Sequence, residues 1–161
     1  MCTRIAMLAL LIAAFGAAGA ATADSMVTFG VSPELVAGAE ALERGRYEEG
    51  ISRTQAGLDQ FVTREQRASA LSNLCAGYTG LAKYDIAVVH CSASLALEPG
   101  WQAYSNRALA YLGKGLVRLA RRDVRRGLAL NPNADKLLRV QALVEEAGRR
   151  RPGWSERDSI T

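Results

Sequence analysis

The chain has 161 residues, 49% hydrophobic and 22% charged, and carries a formal net charge of +4 at pH 7. That length suits one domain with a continuous core, and the balance excludes an intrinsically disordered chain. Four prolines and 6% aromatic residues leave long windows for helices packed through small side chains.

Taken in order, residues 1–23 read as a secretory signal peptide. Arg4 supplies a positive start, Ile5 to Phe15 is an apolar run, and Ala21-Thr22-Ala23 is a small-x-small cleavage site ahead of Asp24. The expectation is a mature chain beginning near Asp24 and exported to a bacterial periplasm; an uncleaved anchor is the alternative. Asp24 to Ser32 is expected as an extended arm. Ser32-Pro33-Glu34 then reads as an N-cap, a proline at the first helical position and an acid at the positive helix end.

The chain is organised around a repeat. Leu71-x2-Leu74-Cys75-x2-Tyr78, Ala87-x3-Cys91 and Pro99 return 33 residues later as Tyr104-x2-Arg107-Ala108-x2-Tyr111, Ala120-x3-Val124 and Pro132. Large, small and aromatic residues fall at the same internal spacings, as in stacked helical arrays. The skeleton resembles the tetratricopeptide repeat, a helix-turn-helix unit of about 34 residues with the pattern W-x2-L-G-x2-Y…A-x3-F…P. The resemblance implies an all-α fold, a right-handed α-solenoid of about three helix-turn-helix repeats plus a C-terminal capping helix. Small residues at Cys75, Ala87, Ala108 and Ala120 would let paired helices approach, and Pro99 and Pro132 would stop each second helix.

The domain is expected over residues 24–148. A degenerate first repeat (32–62) has Gly38, Gly50 and Gly57 at the small positions. The insertion before the second repeat is expected as a loop over Gln60 to Gln66. The second repeat (68–100) has helices near 68–81 and 84–97, with Ala82 where the turn usually has glycine. The third (101–132) has helices near 101–113 and 117–130. A capping helix (134–148) follows, with Leu137, Leu138, Val140, Leu143 and Val144 near helical spacing, then a basic tail (149–161) expected to be disordered.

No G-x-S-x-G, P-loop or dinucleotide loop is present, and the one histidine, His90, has no cluster of His, Cys or carboxylates at ligand spacing. The reading is therefore not an enzyme, with no cofactor and no metal; His90 is expected on the surface. In the repeat fold Cys75 and Cys91 would face each other. They are a candidate disulfide, or two buried free thiols acting as small hydrophobes.

The resemblance also implies a concave groove lined by the first helix of each repeat. Its expected binding residues are Ser69, Ser72, Asn73, Ala76, Gln102, Ser105, Asn106 and Leu109, with Thr79 and Leu112 nearby. The asparagines would either bond an extended peptide's backbone or serve local structure. Gln102 and Asn106 stand where a clamp for an acidic C-terminus would need cations, so the groove reads as neutral and partly apolar.

Charge is divided: residues 24–100 carry 6 Lys+Arg against 10 Asp+Glu, and residues 101–161 carry 13 against 6. Arg118, Arg121, Arg122, Arg125 and Arg126 would form a basic convex face, either a solvated helix or a contact for anionic lipid or an acidic partner. The expected function is a periplasmic protein-interaction scaffold holding an unidentified protein segment in the groove. The alternative is a structural or membrane-apposed assembly factor acting through the basic face. Nucleic acid is not expected as a partner.

Overall fold

Residues 32–60 and 62–150 are described in this computed structural model, and they form seven α-helices. These are α1 (Pro33–Glu43), α2 (Tyr47–Leu58), α3 (Arg64–Gly80), α4 (Tyr84–Leu97), α5 (Trp101–Gly113), α6 (Val117–Leu130) and α7 (Asp135–Arg149). Each odd helix packs on the even helix that follows it, and α1, α3, α5 and α7 also touch in succession. The result is an all-α solenoid of three helix pairs closed by a seventh helix. The signal segment, the arm over 24–31 and the tail beyond Arg150 lie outside the described residues.

The same turn joins the helices of each pair. The N–H of Arg46, Lys83 and Leu116 donates to the carbonyls of Ala41, Tyr78 and Tyr111, each at 2.8 Å. This six-to-one bond closes a helix whose next residue turns left-handed. Gly45 (φ 73°) and Gly115 (φ 72°) take that conformation freely, whereas Ala82 adopts it at φ 56° and bears steric cost from its Cβ. Successive pairs interlock through a second glycine: Gly80 lies against the Tyr47 ring and Gly113 against the Tyr84 ring, and a methyl at either would overlap the ring.

Two hydrophobic clusters follow from this stacking. Cys75, Ala87 and Cys91 of the second pair meet Ala110 of α5, with Tyr78 and Val88 packed on them. Ala108, Val117, Ala120 and Val124 join Leu137, Val140 and Val144 of α7. Truncating the fully buried Leu137 to alanine would cost about 2–5 kcal/mol, which is how α7 seals the last repeat.

The expected ranges of α4, α5 and α6 coincide with those observed. Elsewhere the structure corrects the reading. Helix α3 begins at Arg64 rather than near residue 68, so the inserted residues extend a helix instead of making a loop over Gln60 to Gln66. The reason is a capping box: Thr63 Oγ1 accepts the Gln66 N–H at 3.2 Å and Gln66 Oε1 accepts the Thr63 N–H at 2.9 Å. Ser32 occupies the N-cap of α1, yet its hydroxyl donates to Gln60 Oε1 at 3.0 Å and bonds no helix N–H. On α7 the covered stripe is Leu137, Val140 and Val144, while Leu138 and Leu143 are exposed.

Candidate functional site

The odd helices line up because the small residues of each pair hold the even helices behind them. Their open side is a groove of about 660 Å³. Ala39, Leu42 and Glu43 of α1 form one wall, Ser72, Asn73, Ala76 and Thr79 of α3 the floor, and Trp101, Gln102, Asn106 and Leu109 of α5 the other wall. Lys136 of α7 stands at the far edge. A smaller hollow of about 310 Å³ continues past Ser69 and Ser94 to the Glu98-Pro99-Gly100 link, sharing Ser72, Asn73 and Gln102 with the groove.

The expected groove residues line these two hollows with one exception. Ser105 is fully buried, and its hydroxyl makes no hydrogen bond to a described residue. It lies one residue off the open face of α5, between Ala103 and Ala108 in the packed interior. Leu112 likewise packs against the terminal core cluster rather than the groove.

The two asparagines separate. Asn106 is 6% exposed, and its Nδ2 donates to the Ser72 carbonyl and the Ser72 hydroxyl, both at 3.1 Å. Those bonds fasten α5 to α3 and use both amide protons, so Asn106 is a strut between repeats. Asn73 is half-buried and its side chain bonds no described residue, which leaves its amide open to the groove.

The lining is also less neutral than expected. Glu43, Glu65 and Glu98 face the hollows against the single cation Lys136. These acids come from helix ends and a link. Glu65 sits in the first turn of α3, where its backbone N–H and then the Thr63 hydroxyl hold its carboxyl below the ordinary range. The smaller hollow is therefore acidic, while in the groove Glu43 stands with Lys136.

Behind the groove, the second and third helix pairs are fastened differently. Cys75 and Cys91 are joined as a disulfide with Cα atoms 5.3 Å apart, both fully buried. In the next pair Arg107 donates from Nε and Nη2 to the two oxygens of Asp123, at 2.7 and 2.9 Å. A third bond reaches Ser92 Oγ at 3.0 Å. The guanidinium lies 5.9 Å from the Tyr104 ring centre and 5.7 Å from that of Tyr111. Burial works against this charge, but the Asp123 bonds and charge more than offset it, so its pKa is raised. Sequence reasoning missed the pair, although Arg107 standing where the repeat wants a large apolar group was a signal. His90, expected on the surface, is half-buried and stacks on Tyr78, ring centres 5.3 Å apart; that burial lowers its pKa.

On the outer side Arg118, Arg122, Arg125 and Arg126 are exposed, while Arg121 is half-buried. Among the described residues no three His, Cys, Asp or Glu side chains come together to hold a metal ion, and no helix is long and apolar enough to cross a membrane.

No family model matches the chain, and no curated protein does. Solved structures do match its fold. The first TPR domain of human RPAP3 is 25% identical with a TM-score of 0.61, covering 73% of this chain and 94% of that one. The first TPR of Spaghetti (RPAP3), bound to the HSP90 peptide SRMEEVD, is 24% identical with a TM-score of 0.60, over 71% and 89% of the two chains. A TPR-like protein of Chlorobium tepidum is 16% identical with a TM-score of 0.62, over 71% and 88%. The helix pairs thus have the tetratricopeptide-repeat architecture.

Proposed function

We propose that this protein is a non-catalytic interaction scaffold that holds an extended protein segment in the groove between α1, α3 and α5. The observation that carries the reading is the groove itself, with the unpartnered Asn73 amide on its floor and Trp101, Leu42 and Leu109 on its walls. Such a lining offers a peptide backbone a bonding partner and its side chains apolar contact. The similar RPAP3 structure holds an acidic peptide. Here Glu65 and Glu98 of the smaller hollow oppose that chemistry, so the segment accepted is neutral or basic. We further propose that the protein works in an oxidising exported compartment, the bacterial periplasm; the paired Cys75 and Cys91 and the signal-like residues 1–23 support this.

The test uses the full chain with Trp154→Phe, which leaves Trp101 as the one fluorescent indole. Peptides selected from a random linear library are titrated against Trp101 emission. The reading requires saturable binding that Ala76→Phe, a groove plug, abolishes and that Arg122→Glu leaves intact. Binding indifferent to Ala76→Phe would place recognition elsewhere and overturn it.

A further inference from the structure

Each even helix turns one stripe outward, and the repeat lets the three stripes be compared position by position. On α2 and its C-cap the stripe reads Glu49, Ser52, Ala56, Asp59; on α4 it reads Ile86, Val89, Ala93, Ala96; on α6 it reads Leu119, Arg122, Arg126, Ala129. All are exposed except the half-buried Glu49. The outer face is banded, acidic and polar, then apolar, then basic. The apolar band is unusual for an exposed helix: Ile86 and Val89 are 44% and 65% exposed, and no charged residue occurs from Ile86 to Leu97.

The basic band adjoins the apolar one. The Arg107 guanidinium of α5 bonds Ser92 of α4 and Asp123 of α6 at once, so both helices meet at this one side chain. Lys114 before α6 pairs with Asp85 at the start of α4. Leu116 and Leu119, both partly exposed, continue the apolar patch onto α6. The arginines differ from those of the first repeat. Arg44, Arg46 and Arg53 each pair with a glutamate, whereas among the described residues Arg118, Arg122 and Arg126 form no ion pair. They stand four residues apart, in one line along α6.

We propose that the outer face of α4 and α6 docks on an anionic phospholipid surface. Ile86, Val89, Leu116 and Leu119 seat at the boundary between headgroups and acyl chains, and Arg118, Arg122 and Arg126 engage lipid phosphates. Guanidinium groups match phosphate geometry, and amphipathic faces of this kind bind by apolar burial plus attraction to anionic lipid. Aliphatic side chains without a buried polar group among them suit a lipid boundary better than a shaped protein partner. The groove, on the opposite side, stays open, and the docking does not depend on what it binds.

The full chain is tested by co-sedimentation with phosphatidylcholine vesicles, with and without phosphatidylglycerol. The expected result is binding only with phosphatidylglycerol, weakened by salt. Arg118→Glu, Arg122→Glu and Arg126→Glu together should reduce it roughly hundredfold or more, at about tenfold or less for each cation removed from an anionic surface. The matching triple lysine variant should retain binding, which separates charge from misfolding. Ile86→Ser with Val89→Ser should weaken binding at any salt concentration, and the groove plug Ala76→Phe should leave it unchanged. No binding to phosphatidylglycerol vesicles, or equal binding by the glutamate triple, would overturn the proposal. So would tight binding of polyglutamate by a face that ignores vesicles, which would assign it to an acidic protein.

Discussion

In the second repeat Cys75 and Cys91 are joined covalently, whereas the residues 33 positions later, Ala108 and Val124, meet only as apolar groups. One residue along the same seam the order reverses. Leu74 and the stacked His90 in the second repeat correspond to the half-buried Arg107 and the buried Asp123 in the third, which form a bidentate ion pair. The second and third helix pairs thus each carry one strong fastening, in a different place and of a different chemistry. The repeat pattern demands volume and close approach at the seam, and the means of holding it is interchangeable. Putting a cation where Leu74 stands is tolerable only because its counter-ion took the position of His90.

The largest expected break is Asp123→Ala, which leaves the half-buried Arg107 guanidinium without its counter-ion at a cost of about 3 kcal/mol, read as a lower urea midpoint. Replacing both partners by leucine should cost far less, because the third seam then resembles an apolar one. A loss under about 1 kcal/mol for Asp123→Ala would mean that the pair is not the fastening. Opening the second seam should come next. Cys75→Ala with Cys91→Ala is expected to lower stability by about 3 kcal/mol for a closed loop of this size. A thiol assay on the unfolded, unreduced protein should find neither cysteine free.

The turns sharpen the comparison further. Ala82→Gly gives the second repeat the turn residue that the third has in Gly115, and should stabilise by about 1 kcal/mol by relieving the left-handed alanine. An unchanged melting temperature would show that this turn carries no strain. The smallest effect is on pH. Burial lowers the His90 pKa, so the fold favours its neutral form. That contribution is complete above the ordinary value of 6.5 and is lost as pH falls through the folded pKa. Melting profiles of the parent and His90→Phe should therefore diverge on acidification, with the phenylalanine variant, which keeps a ring on Tyr78, losing less.

Much of the frame was legible because spacing carries it. Leu74, Cys75 and Tyr78 recur as Arg107, Ala108 and Tyr111, and that periodicity sufficed to place α4, α5 and α6 to the residue. The start of α3 was legible too, in Thr63 and Gln66, but a capping box inside an apparent insertion reads as loop until the helix is seen. The groove was less readable. Periodicity names a face to within one residue, so Ser105 and Asn106 looked alike, although one is sealed in the interior and the other braces α3. The acids came from neighbouring ends and links, outside the repeated positions. The same limit hid the half-buried state of Arg121 among its exposed neighbours.

The groove claim meets its most direct test in amide hydrogen exchange on the full chain, with and without a saturating library-selected peptide. Slower exchange should appear along α3 and α5 around Asn73 and Leu109, with α4 and α6 unchanged. Slowing confined to α4 and α6, with α3 and α5 unaffected by a bound peptide, would contradict the account and move recognition to the outer face.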